Sequence, residues 1–338
     1  MDPILLAILC TVVLAASFAA TRVALPLLAA NQILDHPNER SSHDRPTPRG
    51  AGVAVIPVLI AAWWVVGNIG DPIASSAPMA SVLAAAAGLG FLSWIDDLRG
   101  LKPSTRLSAQ VATVCLVIVV SPERFGVLQG WVSPGLGLIV AGFLWIWFLN
   151  LYNFMDGIDG ITGAETVAIG IGVAVVAEVA GLSTPLAAYG LTAAAAAAGF
   201  LWWNRPPARV FLGDVGSVPL GFLMAWLLFT LAAEGHWASA LILPLYYVAD
   251  ATVTLIDRLT RLESVFSPHR EHAYQRAVQH GWSHGTVVAA IGGGNVVLIG
   301  LAAAAARWPQ WSWPALLGAV VVVGLLLRRF IIGPRRPR

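Results

Sequence analysis

PGLGLIVAGFLWIWFLNLYNFMDGIDG, residues 134–160, joins a long uncharged run to a short segment rich in Asn, Asp and Gly. At about 1.5 Å per helical residue, the apolar part near 134–152 is long enough to cross a hydrocarbon core of roughly 30 Å. Residues three apart on a helix are rotated by about 300°, so the polar residues that recur every third position do not form one narrow stripe. The sequence therefore predicts a membrane helix that ends near Asn153. Asp156 and Asp159 then belong to the turn and the start of the next helix, and Asn150, deeper in the span, is structural.

The composition indicates that the rest of the chain is also built for a lipid bilayer. Of its 338 residues, 57% are hydrophobic and only 11% are charged, whereas a soluble domain carries roughly 25% charged residues. Apolar stretches of about 18 residues or more recur along almost the whole sequence, and each is long enough to span a bilayer. We therefore predict an all-α, polytopic integral membrane protein with a single domain over residues 1–338.

The apolar stretches predict eleven transmembrane helices. They lie near 3–30, 51–69, 78–95, 105–121, 134–152, 163–181, 185–203, 216–233, 237–257, 285–305 and 311–330. The first resembles a signal peptide, but no basic residue precedes it and its apolar run is too long, so we interpret it as an uncleaved span.

The distribution of Lys and Arg predicts the orientation, because cytoplasmic loops hold these residues in excess. With a periplasmic N-terminus, the outer loops contain only Arg124 and Arg307, and the other loop Arg and Lys residues are cytoplasmic. The predicted cytoplasmic loops lie near 31–50, 96–105, 153–163, 204–215 and 258–284. Most acidic residues fall in the same loops, and carboxylates at the rim of a membrane protein indicate function. We therefore expect the active site on the cytoplasmic face.

Three of these loops have residues typical of a phosphate and metal site. Asp96 and Asp97 are adjacent carboxylates at a helix end, an arrangement that implies a divalent cation or a basic cluster unless it is merely a solvated helix end. In FLGDVGS (211–217), Asp214 stands between glycines before a span, where it is either a ligand-binding residue or a helix N-cap. Arg270 and several His residues of the last loop suit phosphate groups with Mg²⁺. A histidine zinc site, or contact with anionic lipid, are the alternatives for that loop.

Taken together, the motifs resemble those of the polyprenyl-phosphate N-acetylhexosamine-1-phosphate transferases, a family of the glycosyltransferase family 4 type. The resemblance rests on five motifs in the family's order: HPNERSSHDRPTPRGAG (36–52), DDLRG (96–100), NLYNFMDGIDG (150–160), FLGDVGS (211–217) and the last cytoplasmic loop. That last loop reads SPHREHAYQRA, which keeps only His272 of the histidine triplet found in many members. HAYQ resembles the branch that begins O-antigen or capsule synthesis.

The resemblance implies a role for each matching residue. Asp214 and Asn153 would hold Mg²⁺, or Mn²⁺, on the pyrophosphate of a sugar nucleotide. Asp156, Asp159, His43 and Arg49 would bind substrate. Asp96 or Asp97 would orient or deprotonate the lipid phosphate. Arg106, where related enzymes often have Lys, would stabilise phosphate charge together with Arg270 and His272.

The implied activity is transfer of an N-acetylhexosamine 1-phosphate, or its deoxy form, from a UDP-sugar to undecaprenyl phosphate, with release of UMP. This would be the first membrane step of O-antigen, capsule or other envelope glycan synthesis. The implied location is the inner (plasma) membrane, and the implied partners are the UDP-sugar, undecaprenyl phosphate and the lipid bilayer, without nucleic acid. Related enzymes are often homodimers.

Two other functions are compatible with a polytopic membrane protein. A transporter needs polar groups near the bilayer midplane, whereas here they are predicted at one rim. A membrane prenyltransferase also uses DxxD motifs, but it requires a second Asp-rich motif in a later loop, and GDVGS is not one.

Overall fold

A computed structural model describes residues 1–37, 45–69, 72–121, 132–182, 185–264 and 269–333. Within these ranges, ten helices are long and apolar enough to cross a membrane. The predicted fold class is confirmed, and the chain is a multi-pass membrane protein of the all-α class.

The helices follow one another with short connections. They are α1 (Pro3–Ala30), α2 (Gly52–Ile69), α3 (Pro72–Arg99), α4 (Pro103–Val120), α5 (Pro134–Phe154), α6 (Ile161–Val179), α7 (Leu186–Asn204), α8 (Asp214–Ala233), α9 (Trp237–Ile242), α10 (Leu245–Thr260), α11 (Ala273–Gln279), α12 (His284–Arg307) and α13 (Ser312–Ile332). A short 3-10 turn, Pro309–Trp311, precedes α13, and two strands, β1 (Leu34–Asp35) and β2 (Thr47–Pro48), pair in antiparallel register between α1 and α2.

Helix α8 lies at the centre of the bundle. It is buried along almost its whole length and packs against α2, α3, α5, α6, α7 and α9. Its contact with α5 is close, because a Cβ at Gly221 would lie 3.0 Å from Leu149 Cα, and the rings of Trp145 and Phe222 stack with centroids 4.8 Å apart. This packing fixes the N-terminal end of α8 against the C-terminal end of α5.

The predicted ninth span, 237–257, is not one helix. Two helices, α9 and α10, replace it, with Leu243 and Pro244 between them. Proline has no N–H to continue the helical ladder and its ring clashes with the preceding turn, so the chain breaks there. Among the described residues, ten helices rather than eleven therefore have the length of a full span, because α9 and α10 are each too short.

The loops also differ from the predicted boundaries. Helix α3 continues through Arg99, so Asp96 and Asp97 stand in its last turn rather than in a loop. The loop near 153–163 is shorter than predicted, because α5 ends at Phe154 and α6 begins at Ile161. The prediction that the helix ends near Asn153 is confirmed. The side chain of Asn150 pairs with Gln110 of α4 and also donates to the carbonyl of Ile146 in its own helix.

The loops predicted on one side of the membrane meet at one end of the bundle. Arg49, after β2, bridges to Phe211 in the segment before α8, and the N–H groups of Gly50 and Gly52 donate to carbonyls of residues 211 and 212. Tyr274 of α11 donates its hydroxyl to the carbonyl of Phe154 at the end of α5, 3.1 Å away. Residues 49–52 are therefore joined to the segment before α8, and α11 is joined to the end of α5.

Candidate active site

Asp97 connects the end of α3 to two other segments. Its side chain is only 2% exposed, and Oδ1 lies 3.0 Å from the Arg49 guanidinium. Its Oδ2 accepts a hydrogen bond from the backbone N–H of Val215, 3.1 Å away, at the start of α8. Because a carboxylate is stabilised by N–H groups at a helix N-terminus, this contact holds α8 in place beside α3.

Asp96 has a different set of partners. Its Oδ1 accepts from the backbone N–H of Leu101, 2.6 Å away, and its Oδ2 lies 3.0 Å from Arg106 in α4. The side chain is 9% exposed. Asp96 thus closes the turn between α3 and α4 and positions Arg106.

Asn153 and Asp214 lie together at the centre of the site. The Asn153 amide nitrogen donates to Asp214 Oδ1, 3.1 Å away, and to Ser217 Oγ, 2.8 Å away. With the nitrogen used in this way, the amide oxygen of Asn153 is left as an acceptor or a metal ligand. Gly213, with φ of 74°, is the N-cap of α8, so Asp214 is the first residue of the helix and not its cap.

Arg106 bridges two of the carboxylates. The same guanidinium nitrogen lies 3.0 Å from Asp96 and 3.6 Å from Asp214. Its side chain is 42% exposed and that of Asp214 is 30% exposed. Together with Arg49, whose side chain is 36% exposed, these two are the residues of the group that a ligand can reach most directly.

Asp156 lies in the α5–α6 loop beside this group. Burial raises the pKa of its carboxyl group from 3.8 to about 7, a hydrogen bond with Thr162 acts in the opposite direction, and the negative charges of Asp214 and Asp97 raise it further. The three carboxyl groups repel one another in their ionised forms. A cation or a phosphate-bound metal at this position would relieve that repulsion.

Asp159, three residues further along the same loop, has different partners. It is buried, its Oδ2 accepts from the backbone N–H of Ala208 at 3.0 Å, and the same oxygen lies 3.3 Å from Nδ1 of His284 at the start of α12. The structure therefore places Asp159 where it ties the α5–α6 loop to the segment before α8 and to α12. The sequence pattern DGIDG does not reveal this difference between its two aspartates.

The last loop forms α11, which is held by a residue that the sequence analysis missed. Asp250 in α10 is 1% exposed and accepts hydrogen bonds from the backbone N–H groups of Ala273 and Tyr274, at 2.7 and 3.2 Å. His272 is buried beside it, with Nδ1 3.6 Å from Asp250 Oδ1, and its ring stacks on that of Tyr274. An acid within an apolar run, as in YYVADATV, is the signal that could have identified Asp250.

The remaining candidate residues are Arg270 and His272 in the last loop, and His43. Arg270 is partly buried in the segment before α11, where its carbonyl accepts from Gln279. No hydrogen bond or ion pair in the described ranges joins His272 to Asp97, Asn153 or Asp214. His43 is not among the described residues. Ser217, which orients Asn153, is a further residue that the sequence analysis did not single out.

The donors present suit a hard divalent cation only in part. In the described part of the chain, no group of three or more His, Cys, Asp or Glu side chains has the arrangement of a complete metal cage. Mg²⁺, however, is usually bound by one or two carboxylates and completed by water and substrate phosphate. Asp214 and the amide oxygen of Asn153 fit that pattern, because both are oxygen donors and adjacent carboxylates favour a positive charge between them.

Comparisons with known proteins agree with the motifs. Residues 79–232 match the family described as glycosyl transferase family 4. This stretch includes DDLRG, NLYNFMDGIDG and FLGDVGS, the three motifs that contain Asp96, Asp97, Asn153, Asp156 and Asp214.

Several curated relatives are similar to most of the chain. A probable undecaprenyl-phosphate N-acetylglucosaminyl 1-phosphate transferase of Bacillus subtilis is 25% identical over 267 residues, which is 74% of this chain and 71% of the relative. A decaprenyl-phosphate N-acetylglucosaminephosphotransferase of Mycobacterium leprae is 28% identical, over 87% of this chain and 83% of the relative. A phospho-N-acetylmuramoyl-pentapeptide-transferase of Trichormus variabilis is 32% identical, over 64% of this chain and 62% of the relative. The family model that matches residues 79–232 is therefore the one that the motifs of this chain predict, and the relatives are similar in sequence to most of the chain.

Proposed function

We propose that the protein transfers an N-acetylhexosamine 1-phosphate, or its deoxy form, from a UDP-sugar to undecaprenyl phosphate and releases UMP. The observation that carries the proposal is the meeting of Arg49, Asp97, Arg106, Asn153 and Asp214 from five separate segments in one partly open group. Arginines beside carboxylates that can hold a cation suit a reaction between two phosphates. Both substrates are negatively charged, and the arginines and the cation would neutralise that charge. The names of the relatives support the same reaction class.

Asp214 and Asn153 would hold Mg²⁺ or Mn²⁺ through one carboxylate oxygen and one amide oxygen. When bound, the cation supplies positive charge to the pyrophosphate of the UDP-sugar. Ser217 and Asp214 both accept from the amide nitrogen of Asn153, which leaves its amide oxygen available to the cation. Asp156, on the adjacent loop, completes the acidic side of the pocket.

The acceptor phosphate would lie on the basic side of the group. Arg49 and Arg106 are both more than a third exposed at the side chain and can pair with phosphate oxygens, whereas Asp96 and Asp97 are buried and orient these two arginines. An oxygen of the lipid phosphate attacks the β-phosphorus, a new P–O bond forms, and the bond from the β-phosphorus to the bridging oxygen breaks. UMP leaves with that oxygen, and Arg106 stabilises the charge that shifts between the phosphates.

The pathway and the sugar are further parts of the proposal. The HAYQ sequence at 272–275 supports a role in O-antigen or capsule synthesis, while the two GlcNAc-1-phosphate transferases among the relatives support N-acetylglucosamine as the first sugar to test. We place the site on the cytoplasmic face of the inner membrane, where UDP-sugars are available.

Purified protein should release UMP when given a UDP-sugar, undecaprenyl phosphate and Mg²⁺. We would test UDP-activated N-acetylglucosamine, N-acetylgalactosamine, N-acetylfucosamine and N-acetylquinovosamine, and follow UMP together with the lipid-linked product. Each omission, of lipid phosphate, of cation or of UDP-sugar, should abolish both products. Absence of UMP with all four sugars would overturn the proposal and leave a transporter or a prenyltransferase.

Direct attack by the lipid phosphate is preferred over a covalent aspartyl intermediate, because the acceptor is already a strong oxyanion nucleophile. The test is exchange of labelled UMP into UDP-sugar without lipid. We expect none at the catalytic rate, and exchange at that rate would establish a phosphosugar-enzyme intermediate instead.

A further inference from the structure

Glu165 and Asn295 form an isolated polar contact inside the bundle. Glu165 lies in the first turns of α6 and Asn295 in the middle of α12, and their residues are 0% and 3% exposed. The Asn295 amide nitrogen donates to Glu165 Oε2, 2.7 Å away. The other two oxygens of the pair, Glu165 Oε1 and Asn295 Oδ1, are fully buried and have no hydrogen-bond partner in the described part of the chain.

Two buried acceptor oxygens without a donor, on side chains that already share one hydrogen bond, indicate that a proton is present. A buried carboxylate with one neutral hydrogen bond and no cation is strongly disfavoured. Among the described residues, no Lys, Arg or His forms an ion pair with Glu165, and Asn295 is the partner that acts on its carboxyl group. A single proton on Oε1 gives Asn295 Oδ1 a donor and removes the buried charge at the same time.

We propose that Glu165 carries a proton and forms with Asn295 a neutral, doubly hydrogen-bonded acid–amide pair that positions the α5–α6 loop of the active site. The pair joins α12 to α6 two turns or less from the beginning of α6, directly after the loop that contains Asp156. Neither residue touches the group that would bind substrate, so both act as positioning residues.

Two further contacts connect the pair to the loop. At its N-terminus, α12 reaches the same loop through His284, whose Nδ1 lies 3.3 Å from Asp159. On the side of α10, Tyr247 shares a hydrogen bond of 3.2 Å with Thr162, which in turn bonds Asp156. The pair therefore fixes the element on which Thr162 is carried, and Thr162 orients Asp156.

Further towards their C-terminal ends, α6 and α12 are also in apolar contact. A Cβ at Gly172 of α6 would lie 3.2 Å from the Ile299 side chain of α12. Helix α12 therefore contacts α6 or the loop before it at three places: His284 with Asp159, Asn295 with Glu165, and Ile299 with Gly172. Loss of the Glu165–Asn295 contact would allow the start of α6 to shift.

Glu165→Gln provides the sharpest test, because a glutamine amide can donate to Asn295 Oδ1 and accept from its nitrogen, so the same two bonds form without a titratable proton. We expect this variant to keep the unfolding temperature and the transfer rate of the wild type. Glu165→Ala and Asn295→Ala each leave a buried acceptor unpaired and should lower kcat by as much as about 100-fold, since small displacements in a site have effects of that size. The KM for the UDP-sugar should change much less.

Infrared difference spectroscopy reports the proton directly. The wild-type spectrum minus that of Glu165→Gln, at neutral and mildly alkaline pH, should contain the carbonyl band of a protonated carboxylic acid and no carboxylate band. A carboxylate band, or a Glu165→Gln variant as impaired as Glu165→Ala, would overturn the proposal.

The positioning part rests on the proposed function, but the protonated pair does not. If the protein transfers no sugar phosphate at all, the infrared band and the unfolding temperatures still decide whether the pair exists. If Glu165→Ala does not fold, Glu165→Gln and the spectrum remain decisive. Glu178→Gln, at the exposed far end of α6, is the matched control and should leave every measurement unchanged.

Discussion

Asp214 and Glu234 are acidic residues at the two ends of α8, and only the first lies in the candidate site. Asp214→Asn keeps the size of the side chain and removes the charge that we assign to the cation. We expect transfer to fall by at least about 100-fold, as on removal of a preorganised electrostatic group, while the protein remains folded. UMP release and thermal unfolding in detergent measure the two effects.

Glu234→Gln is the control for this prediction, because it removes an exposed carboxylate from the opposite end of the same helix. Its transfer rate should equal that of the wild type. An Asp214→Asn variant that retained full activity would remove Asp214 from the cation site and leave Asn153 without its proposed partner.

The buried carboxyl group of Asp156 should make the stability of the folded protein depend on pH. Burial is the main cause that raises its pKa from 3.8 to about 7, so the folded state binds this proton more tightly than the unfolded chain does. The contribution of Asp156 to stability is therefore fully present below about pH 4 and is lost as the pH rises towards 7. At about 1.4 kcal/mol per pKa unit, the contribution of Asp156 to the free energy of unfolding is at most about 4 kcal/mol.

We expect Asp156→Asn to abolish this part of the pH dependence. Unfolding temperatures of both proteins, measured with a chelator between pH 4 and 8, should diverge as the pH rises, with the variant more stable at the upper end. Glu178→Gln changes the net charge equally and should follow the wild type. Parallel curves for wild type and Asp156→Asn would contradict the burial of an ionisable group here.

At the scale of elements, the crossing of α2 and α8 depends on two glycines. A Cβ on Gly52 would lie 2.3 Å from Gly216 Cα, and a Cβ on Gly216 would lie 2.4 Å from the Leu212 side chain. These distances leave no room for a methyl group, so the helices approach with backbone against backbone. The same contact places Val215, whose N–H binds Asp97, at the end of α3.

Gly216→Ala should therefore separate α2 from α8 and disturb the site. Overpacking of this kind costs about 1–3 kcal/mol, and we expect a lower unfolding temperature together with reduced UMP release. Gly88→Ala in α3 is the matched control, because its Cβ would have no neighbour within 4 Å in the described structure. Equal effects of the two substitutions would show that the crossing is not tightly packed.

The order and class of the helices could be predicted because bilayer thickness sets their length, but the direction of individual side chains could not. Asp156 and Asp159 stand three residues apart in one motif. They differ in their partners, because Asp159 contacts Ala208 and His284 from other parts of the chain. The Glu165–Asn295 contact joins residues 130 positions apart. No local pattern contains such information, since it arises when α6 and α12 pack. The break at Pro244 is different, because the proline was visible in the sequence and outweighed by the apolar run around it.

At the scale of the whole molecule, the bundle has one polar end, where the loops after α1, α3, α5, α7 and α10 meet. The structure joins these loops to one another through Arg49–Asp97, Asn153–Asp214 and Tyr274–Phe154. Their shared location was predicted from the Lys and Arg residues, which follow the inner side of a membrane. The membrane side itself remains a prediction, and it decides whether UDP-sugars can reach the site.

Two serines at opposite ends of the bundle test the orientation. Ser104 stands in the first turn of α4 at the polar end, and Ser133 is the N-cap of α5 at the other end; both are exposed. Ser104→Cys and Ser133→Cys are nearly isosteric and would be made in a protein whose two cysteines, Cys10 and Cys115, are replaced by serine. If the N-terminus is periplasmic, a membrane-impermeant thiol reagent added to intact spheroplasts labels the cysteine at 133, whereas the cysteine at 104 is labelled only after lysis. The reverse pattern would place the candidate site outside the cell, away from the cytoplasmic pool of sugar nucleotides, and would contradict the proposed reaction.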